Sequence, residues 1–262
     1  MLTQEQIAEL QSHPISWSRL KFYEKSPAHF LENWLNPPEP TPAMTLGSAL
    51  HCLVLEPEKF DSRYVAAPAN IDRRTKAGKE EWASFEAGAK GKSILTAEQM
   101  EQCRGMARAI AATNAASKAL EMCPHREQTI EWEDPTTDLP CKGVIDAWGD
   151  NWIIDIKTTD DATDRAFSRA VANYGYHGQA AFYIDGLGLA RQTTTPKNFL
   201  FVVVEKQPPY GVRVFLCTTD LLAAGRQNYL KLLGRHAECV AAGDWPGYRD
   251  EVAPLDLPAW AA

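Results

Sequence analysis

Two aspartates and a lysine interrupt stretches that are otherwise apolar enough to be buried: Gly143-Val144-Ile145-Asp146 and, nine residues after Asp146, Asp155-Ile156-Lys157. In Trp152-Ile153-Ile154-Asp155-Ile156-Lys157 the apolar run reads as a core strand, and the two-residue period of a strand sets Asp155 and Lys157 on one face. An unpaired buried charge there costs several kcal/mol. A divalent cation between Asp146 and Asp155 would offset that desolvation, with Lys157 balancing the remaining negative charge and facing a scissile phosphate. The constellation points to a Mg²⁺ site that cuts phosphodiesters. A structural Asp–Lys pair beside a hairpin turn is the alternative.

The surrounding pattern suits such a site. Thr129-Ile130-Glu131-Trp132-Glu133 alternates like a strand, Asp134 to Asp138 reads as a turn, and residues 140–148 and 151–157 follow as strands, a meander carrying the acids. Helices are expected over 163–173 and 177–187, then an apolar strand from Asn198 to Glu205, a turn at Gln207-Pro208-Pro209-Tyr210-Gly211, and a strand from Val212 to Cys217. Asp220 is placed to cap a last helix reaching Ala242. Helix, three strands, helix, strand is the order of an α/β core with a mixed sheet.

Upstream, Ser16 and Ser26-Pro27 read as helix starts, the second helix stopping at Asn36-Pro37-Pro38. Beyond a proline-rich connector, Leu46, Leu50, Leu53 and Val54 recur at helical spacing, and Gly47 and His51 share one face. Residues 71–92 read as an exposed loop leading into a short helix, and 96–121 as one longer helix. With 262 residues, 45% of them hydrophobic, the chain can bury a full core. A single domain over 1–262 is expected, with helical additions over about 1–125 and a catalytic core over about 126–245.

Net charge is −7, which disfavours a protein that coats nucleic acid by bulk electrostatics but not an enzyme with a local basic patch. The densest candidate patch is Arg73, Arg74, Lys76 and Lys79. The N-terminus lacks a basic n-region and an apolar h-region, and no run of about 18 apolar residues occurs, so a cytoplasmic protein with no membrane attachment is expected. Six scattered cysteines form no CxxC pair and read as reduced, mostly buried thiols.

The motif Gly143-x-x-Asp146 with Asp155-Ile156-Lys157 resembles that of PD-(D/E)XK nucleases. The flanking text is similar to the RecE type, the nuclease domain of exodeoxyribonuclease VIII. The blocks that carry the resemblance are Gly47 to Pro57, Arg73 to Glu81, Trp132-Glu133-Asp134-Pro135, Asp155 to Thr159, and Tyr174-x-Tyr176-His177-x-Gln179-x-Ala181-Phe182-Tyr183, which together span most of the chain. The fold it implies is a restriction-endonuclease-like core, a mixed β-sheet flanked by helices.

By position, the resemblance implies that His51, Asp146, Asp155 and the Ile156 carbonyl hold the metal, with Lys157 positioning or activating the attacking water. Without it, His51 reads as an ordinary helix histidine. Carboxylates and a carbonyl suit Mg²⁺, and an imidazole makes Mn²⁺ acceptable as well. Gln179, Tyr183 and Tyr176 lie on one helical face and are expected to border the site and the DNA backbone, an amphipathic helix with a polar edge being the alternative. Glu127 and Glu131 are candidates to complete the metal shell, with Glu127 the better match. Cys217 and Cys239, 22 apart, do not match the grouped cysteines of iron–sulfur relatives, so no cluster is expected.

The activity implied is Mg²⁺-dependent 5′ to 3′ degradation of double-stranded DNA ends, leaving 3′ tails for a RecT-like single-strand annealing protein in phage-type recombination. A stand-alone nuclease is expected, as a tetrameric ring around the duplex. A structure-specific endonuclease of the same fold and an inactive DNA-binding recombination adaptor are the competing readings.

Overall fold

A six-stranded mixed sheet lies between layers of helices in the computed structural model, which describes residues 2–69, 71–192 and 198–257. The chain enters through α1 (Gln4–Ser12), β1 (Ile15–Ser16), the single turn α2 (Trp17–Leu20), a 3-10 turn (Lys21–Glu24) and α3 (Pro27–Leu35). It continues with α4 (Pro42–Leu55), α5 (Pro57–Arg63), β2 (Tyr64–Ala66), α6 (Lys76–Gly88), β3 (Ser93–Leu95), α7 (Ala97–Ala112) and α8 (Asn114–Glu121). The remainder is β4 (His125–Glu133), β5 (Pro140–Trp148), β6 (Trp152–Thr159), α9 (Asp164–Tyr174), α10 (Tyr176–Arg191), β7 (Asn198–Glu205), β8 (Val212–Leu216) and α11 (Thr219–Ala242).

In the main sheet, β5 pairs antiparallel with β4 along one edge. Its other edge is shared: β1 runs parallel to its first residues, and β6 antiparallel to its last. Strand β7 then runs parallel to β6, and β8 antiparallel to β7. The small strands β2 and β3 pair with each other, off this sheet.

Alternation along the strands feeds two apolar layers. Ile154 and Ile156 of β6 with Val202 and Val204 of β7 pack under Leu46, Leu50, Met106 and Ile110 of α4 and α7. On the opposite face, Ile153, Phe199, Phe201 and Val203 meet Phe167, Val171, Ile184 and Leu187 of α9 and α10. Strand β7 is buried on both faces, which is why it reads as an uninterrupted apolar run. A third cluster joins α1, α2 and α3 to α10 and α11 around Tyr23, Phe30, Phe182 and Leu233. All six cysteines are buried. Among the described residues, no helix is long and apolar enough to cross a membrane.

Three local expectations need correction. Residues 96–121 form two helices rather than one, because Thr113 takes an extended conformation (φ −87°, ψ 107°) and its carbonyl accepts from the Ala116 and Ser117 amides to start α8. The helix in the 71–92 segment is not short: Thr75 accepts from the Gly78 amide at 3.0 Å, and the helix runs 13 residues. The last helix is capped by Thr218, whose hydroxyl accepts from the Leu221 amide, leaving Asp220 in the first turn.

Candidate active site

Strands β5 and β6 part where the acids stand. Their ladder consists of Ala147 opposite Ile154 and Trp148 opposite Ile153; the next positions inward are Asp146 and Asp155. The Ile156 amide is caught by the Asp146 carboxylate at 2.7 Å, so the side chain replaces a missing ladder bond. Both aspartates are buried. The fork lets groups from both helical layers reach one place.

From one layer, α4 delivers His51. Pro42 at the first helical position and the Thr41 hydroxyl, which accepts from the Met44 amide, start this helix, while Leu46, Ala49 and Leu50 bury its inner face. His51 Nε2 lies 2.8 Å from the Ile156 carbonyl oxygen, and Nδ1 lies 3.4 Å from Asp146 Oδ1 and 3.8 Å from Glu127 Oε1. Burial disfavours the His51 charge, but the Asp146 carboxylate outweighs it and holds the imidazole pKa up at about 9. The same partnership acts on Asp146: burial raises its pKa, while His51, Lys157 and the Ile156 amide bring it below the ordinary value.

Glu127 comes from β4, at the ladder position facing Asp146 between the Arg126–Ala147 and Gln128–Ile145 pairs. Its φ of +44° is unusual for a side-chain-bearing residue and interrupts the ladder there. Burial, and then the Asp146 charge, push the Glu127 carboxyl up to about 7. His51, Glu127 and Asp146 offer ligand atoms that all lie within 4.8 Å of one another.

From the other layer, α10 delivers Gln179, whose amide donates to Asp155 Oδ1 at 2.8 Å. Lys157 Nζ approaches Asp155 Oδ2 to 2.6 Å and sits 4.7 Å from the centre of the Tyr176 ring. That short approach is off the hydrogen-bonding direction, so Asp155 Oδ2 is a buried oxygen with a charge partner but no aligned donor among the described residues. Burial raises the Asp155 pKa, and Asp146 adds to it against the opposing pull of Lys157. Burial acts to lower the Lys157 pKa, but Asp155 and Asp146 outweigh it and hold the ammonium charged.

The glycine of Gly143-x-x-Asp146 has a packing reason. A Cβ there would stand 2.8 Å from Tyr183 Cε1, so its absence lets the α10 tyrosine lie against β5. Tyr183 is held in its protonated form by burial and by the nearby carboxylates. A cavity of about 760 Å³ opens beside the fork, reaching from Met44, Gly47 and His51 across Lys157 to Tyr176 and Lys206.

The remaining sequence candidates stand apart. Glu131 is exposed and lies opposite Lys142 in the β4–β5 ladder, away from the His51, Glu127 and Asp146 group. Arg73, Arg74, Lys76 and Lys79 are exposed around the start of α6; Arg74 pairs with Asp72 at 2.9 Å, and Arg73 lies 4.3 Å over the Trp82 ring. None of the four lines the cavity at the fork. Groups that sequence reasoning missed are Met44, Tyr174 and Lys206 on the cavity wall. The sequence signal for Tyr174 was its place in the Tyr174-x-Tyr176-His177 block.

This donor set fits a divalent cation. Hard carboxylate oxygens converge with one imidazole, two carboxyls are pushed upward by burial and by the neighbouring Asp146 charge, and one buried carboxylate oxygen lacks an aligned donor. Glu127, Asp146 and His51 would supply the nearest ligand atoms, with Asp155 and the Ile156 carbonyl adjoining.

A family model described as "PDDEXK-like domain of unknown function (DUF3799)" matches residues 16–257. No curated protein matches the sequence. Among solved structures, the crystal structure of a "Putative exonuclease" from Eubacterium rectale is similar with a TM-score of 0.65 at 16% identity, over 98% of this chain and 96% of that one. At that identity the likeness is one of fold.

Proposed function

The chain belongs to the PDDEXK-like family DUF3799, within the PD-(D/E)XK superfamily, and on that premise we propose that it is a divalent-cation-dependent deoxyribonuclease. The observation that carries the reading is the β5–β6 fork, where Asp146 stands between Glu127 and Asp155 with the Lys157 ammonium alongside. A bound Mg²⁺ or Mn²⁺ would supply Lewis-acid polarisation of the phosphate and lower the pKa of water. The chain's own groups do the rest. Lys157, kept charged by its aspartates, places positive charge where a pentacovalent phosphate would gain negative charge. Gln179 fixes Asp155 from α10, Tyr176 steadies Lys157, and Ile156 holds the orientation of Asp146.

The finer reading is an exonuclease that degrades double-stranded DNA ends in the 5′ to 3′ direction and leaves 3′ tails for a RecT-like annealing protein. It is supported by the RecE-type text in this chain and by the name of the Eubacterium rectale protein of similar fold. A tetrameric ring around the duplex goes with it, since a chain of net charge −7 holds DNA weakly at long range and enclosure would keep the substrate bound. End-labelled linear duplex and closed circular duplex, each with Mg²⁺, test the reading. Release of 5′ label from linear DNA with circles intact is expected. Cutting of closed circles would instead establish an endonuclease.

A further inference from the structure

Tyr174 is an exposed aromatic at the edge of the site. It ends α9, is 58% exposed, and lies 5.6 Å centre to centre from Tyr176, the ring that carries the Lys157 ammonium. It also stands between two cavities. One is the 760 Å³ space at the fork; the other, of about 320 Å³, is lined by Lys21, Phe22, Glu24, Lys25, Asn173 and Tyr174. The route from Lys157 past Tyr174 to Lys21 and Lys25 therefore alternates amine, aromatic face and amines.

This second cavity is built rather than incidental. The α9–α10 corner turns at Gly175, whose φ is +68°, and Trp17 fills the space beside it: a Cβ on Gly178 would stand 2.1 Å from the Trp17 ring. Trp17 thereby fixes the 3-10 turn carrying Lys21 against the corner carrying Tyr174. The carboxylate in the cavity, Glu24, already accepts from the Asn228 side-chain amide at 3.0 Å. Lys21 is partly buried, and burial, followed by the Lys157 charge, lowers its pKa, which marks the two ammonium groups as electrostatic neighbours.

We infer that Tyr174 is a base-stacking platform and that Lys21 and Lys25 hold the adjoining phosphate of the same DNA strand whose scissile phosphate faces Lys157. The inference rests on the nuclease reading for the identity of the strand. Single strands are held by such alternation of aromatic faces and basic groups, and an aromatic face takes any base because every base has a π-face. The exposure of Tyr174 then has a use, and the amines supply the local attraction that the acidic chain as a whole lacks.

The test is binding of a single-stranded oligonucleotide containing 2-aminopurine, in EDTA, so that its outcome does not depend on cleavage. Cleavage of linear duplex with Mg²⁺ is measured in parallel. Tyr174→Ala is expected to weaken binding about tenfold or more and to relieve 2-aminopurine quenching, while Tyr174→Phe keeps both. Lys21→Gln with Lys25→Gln is expected to reduce the slope of log Kd against log salt by about 0.7, that is, one single-strand phosphate contact. Wild-type affinity, quenching and salt slope in these variants, with cleavage intact, overturn the strand track and leave the nuclease reading standing. Expected binding effects in a protein that cuts no DNA support the track and overturn the nuclease reading. A wild-type protein that neither binds nor cuts overturns both.

Discussion

The Ile156 amide donates to the Asp146 carboxylate at 2.7 Å, where β5 and β6 separate, so one aspartate both closes the backbone accounting of the fork and faces the candidate cation site. Asp146→Ala leaves that buried amide unpaired and is expected to cost about 1–3 kcal/mol in cation-free stability. Asp146→Asn keeps an acceptor for that amide but removes the charge that sustains the His51 imidazolium, so it is expected to melt above Asp146→Ala and below wild type. Thermal unfolding in EDTA compares them, and an equal loss in both variants would show that the hydrogen bond does not matter.

Lys157 and Asp155 are expected to be coupled. Removing the amine in Lys157→Ala leaves a buried carboxylate without its charge partner, a situation that costs about 3–5 kcal/mol unless the acid takes up a proton. Lys157→Ala combined with Asp155→Asn should regain most of the lost stability. Urea denaturation of the two single variants and the double reads the coupling; strict additivity would argue against it.

Gly143→Ala is expected to destabilise by about 1–3 kcal/mol through overpacking, because the new Cβ meets the Tyr183 ring at 2.8 Å. Truncating the ring relieves the clash, so Gly143→Ala should be nearly neutral in a Tyr183→Ala background. The same denaturation series checks it, and an undiminished penalty in that background would place the clash elsewhere.

Stability should fall in mild acid through His236. The imidazole is buried, its Nδ1 is 2.8 Å from the Tyr23 hydroxyl, and that hydroxyl accepts from Trp245 Nε1 at 3.0 Å, so the chain of donors needs a neutral ring. Burial pushes the His236 pKa down from 6.5 to about 4. The unfolded chain therefore binds more protons between these values. The contribution is complete above about pH 6.5 and is lost as pH falls toward 4, the loss amounting to about 2 kcal/mol at pH 5. Burial raises the pKa of the Cys239 thiol beside Tyr23, which keeps it protonated across that range. Urea midpoints at pH 7 and pH 5 for wild type and His236→Gln measure it; an equal pH dependence in both would exclude His236 as the cause.

Much of this arrangement was legible in the chain because periodicity and burial agree. Residues 152–159 and 198–205 form core strands as their apolar runs suggest, and the strand period of two does set Asp155 and Lys157 on one face, where they pair. Short elements held by tertiary contacts were not legible. The two residues Ile15 and Ser16 carry no strand signal, yet they pair with β5. Thr113 divides a helix whose composition is continuous. His51 had no local mark separating it from a helix-surface histidine, and only the family text pointed to it. Lys21 and Tyr174 lie 153 residues apart in sequence and meet because Trp17 packs on the Gly175–Gly178 corner, a relationship no window of sequence displays.

The most direct measurement is the rate of linear duplex DNA cleavage as Mg²⁺ is titrated from an EDTA-treated sample, for wild type and for Asp155→Asn. Wild type is expected to be silent without cation and to rise to saturation with it. Asp155→Asn should stay folded and lose at least about a hundredfold in rate, since it removes one charge from the group around the phosphate. Cation-independent cleavage by wild type, or cleavage by Asp155→Asn at the wild-type rate, would contradict a nuclease centre at the β5–β6 fork.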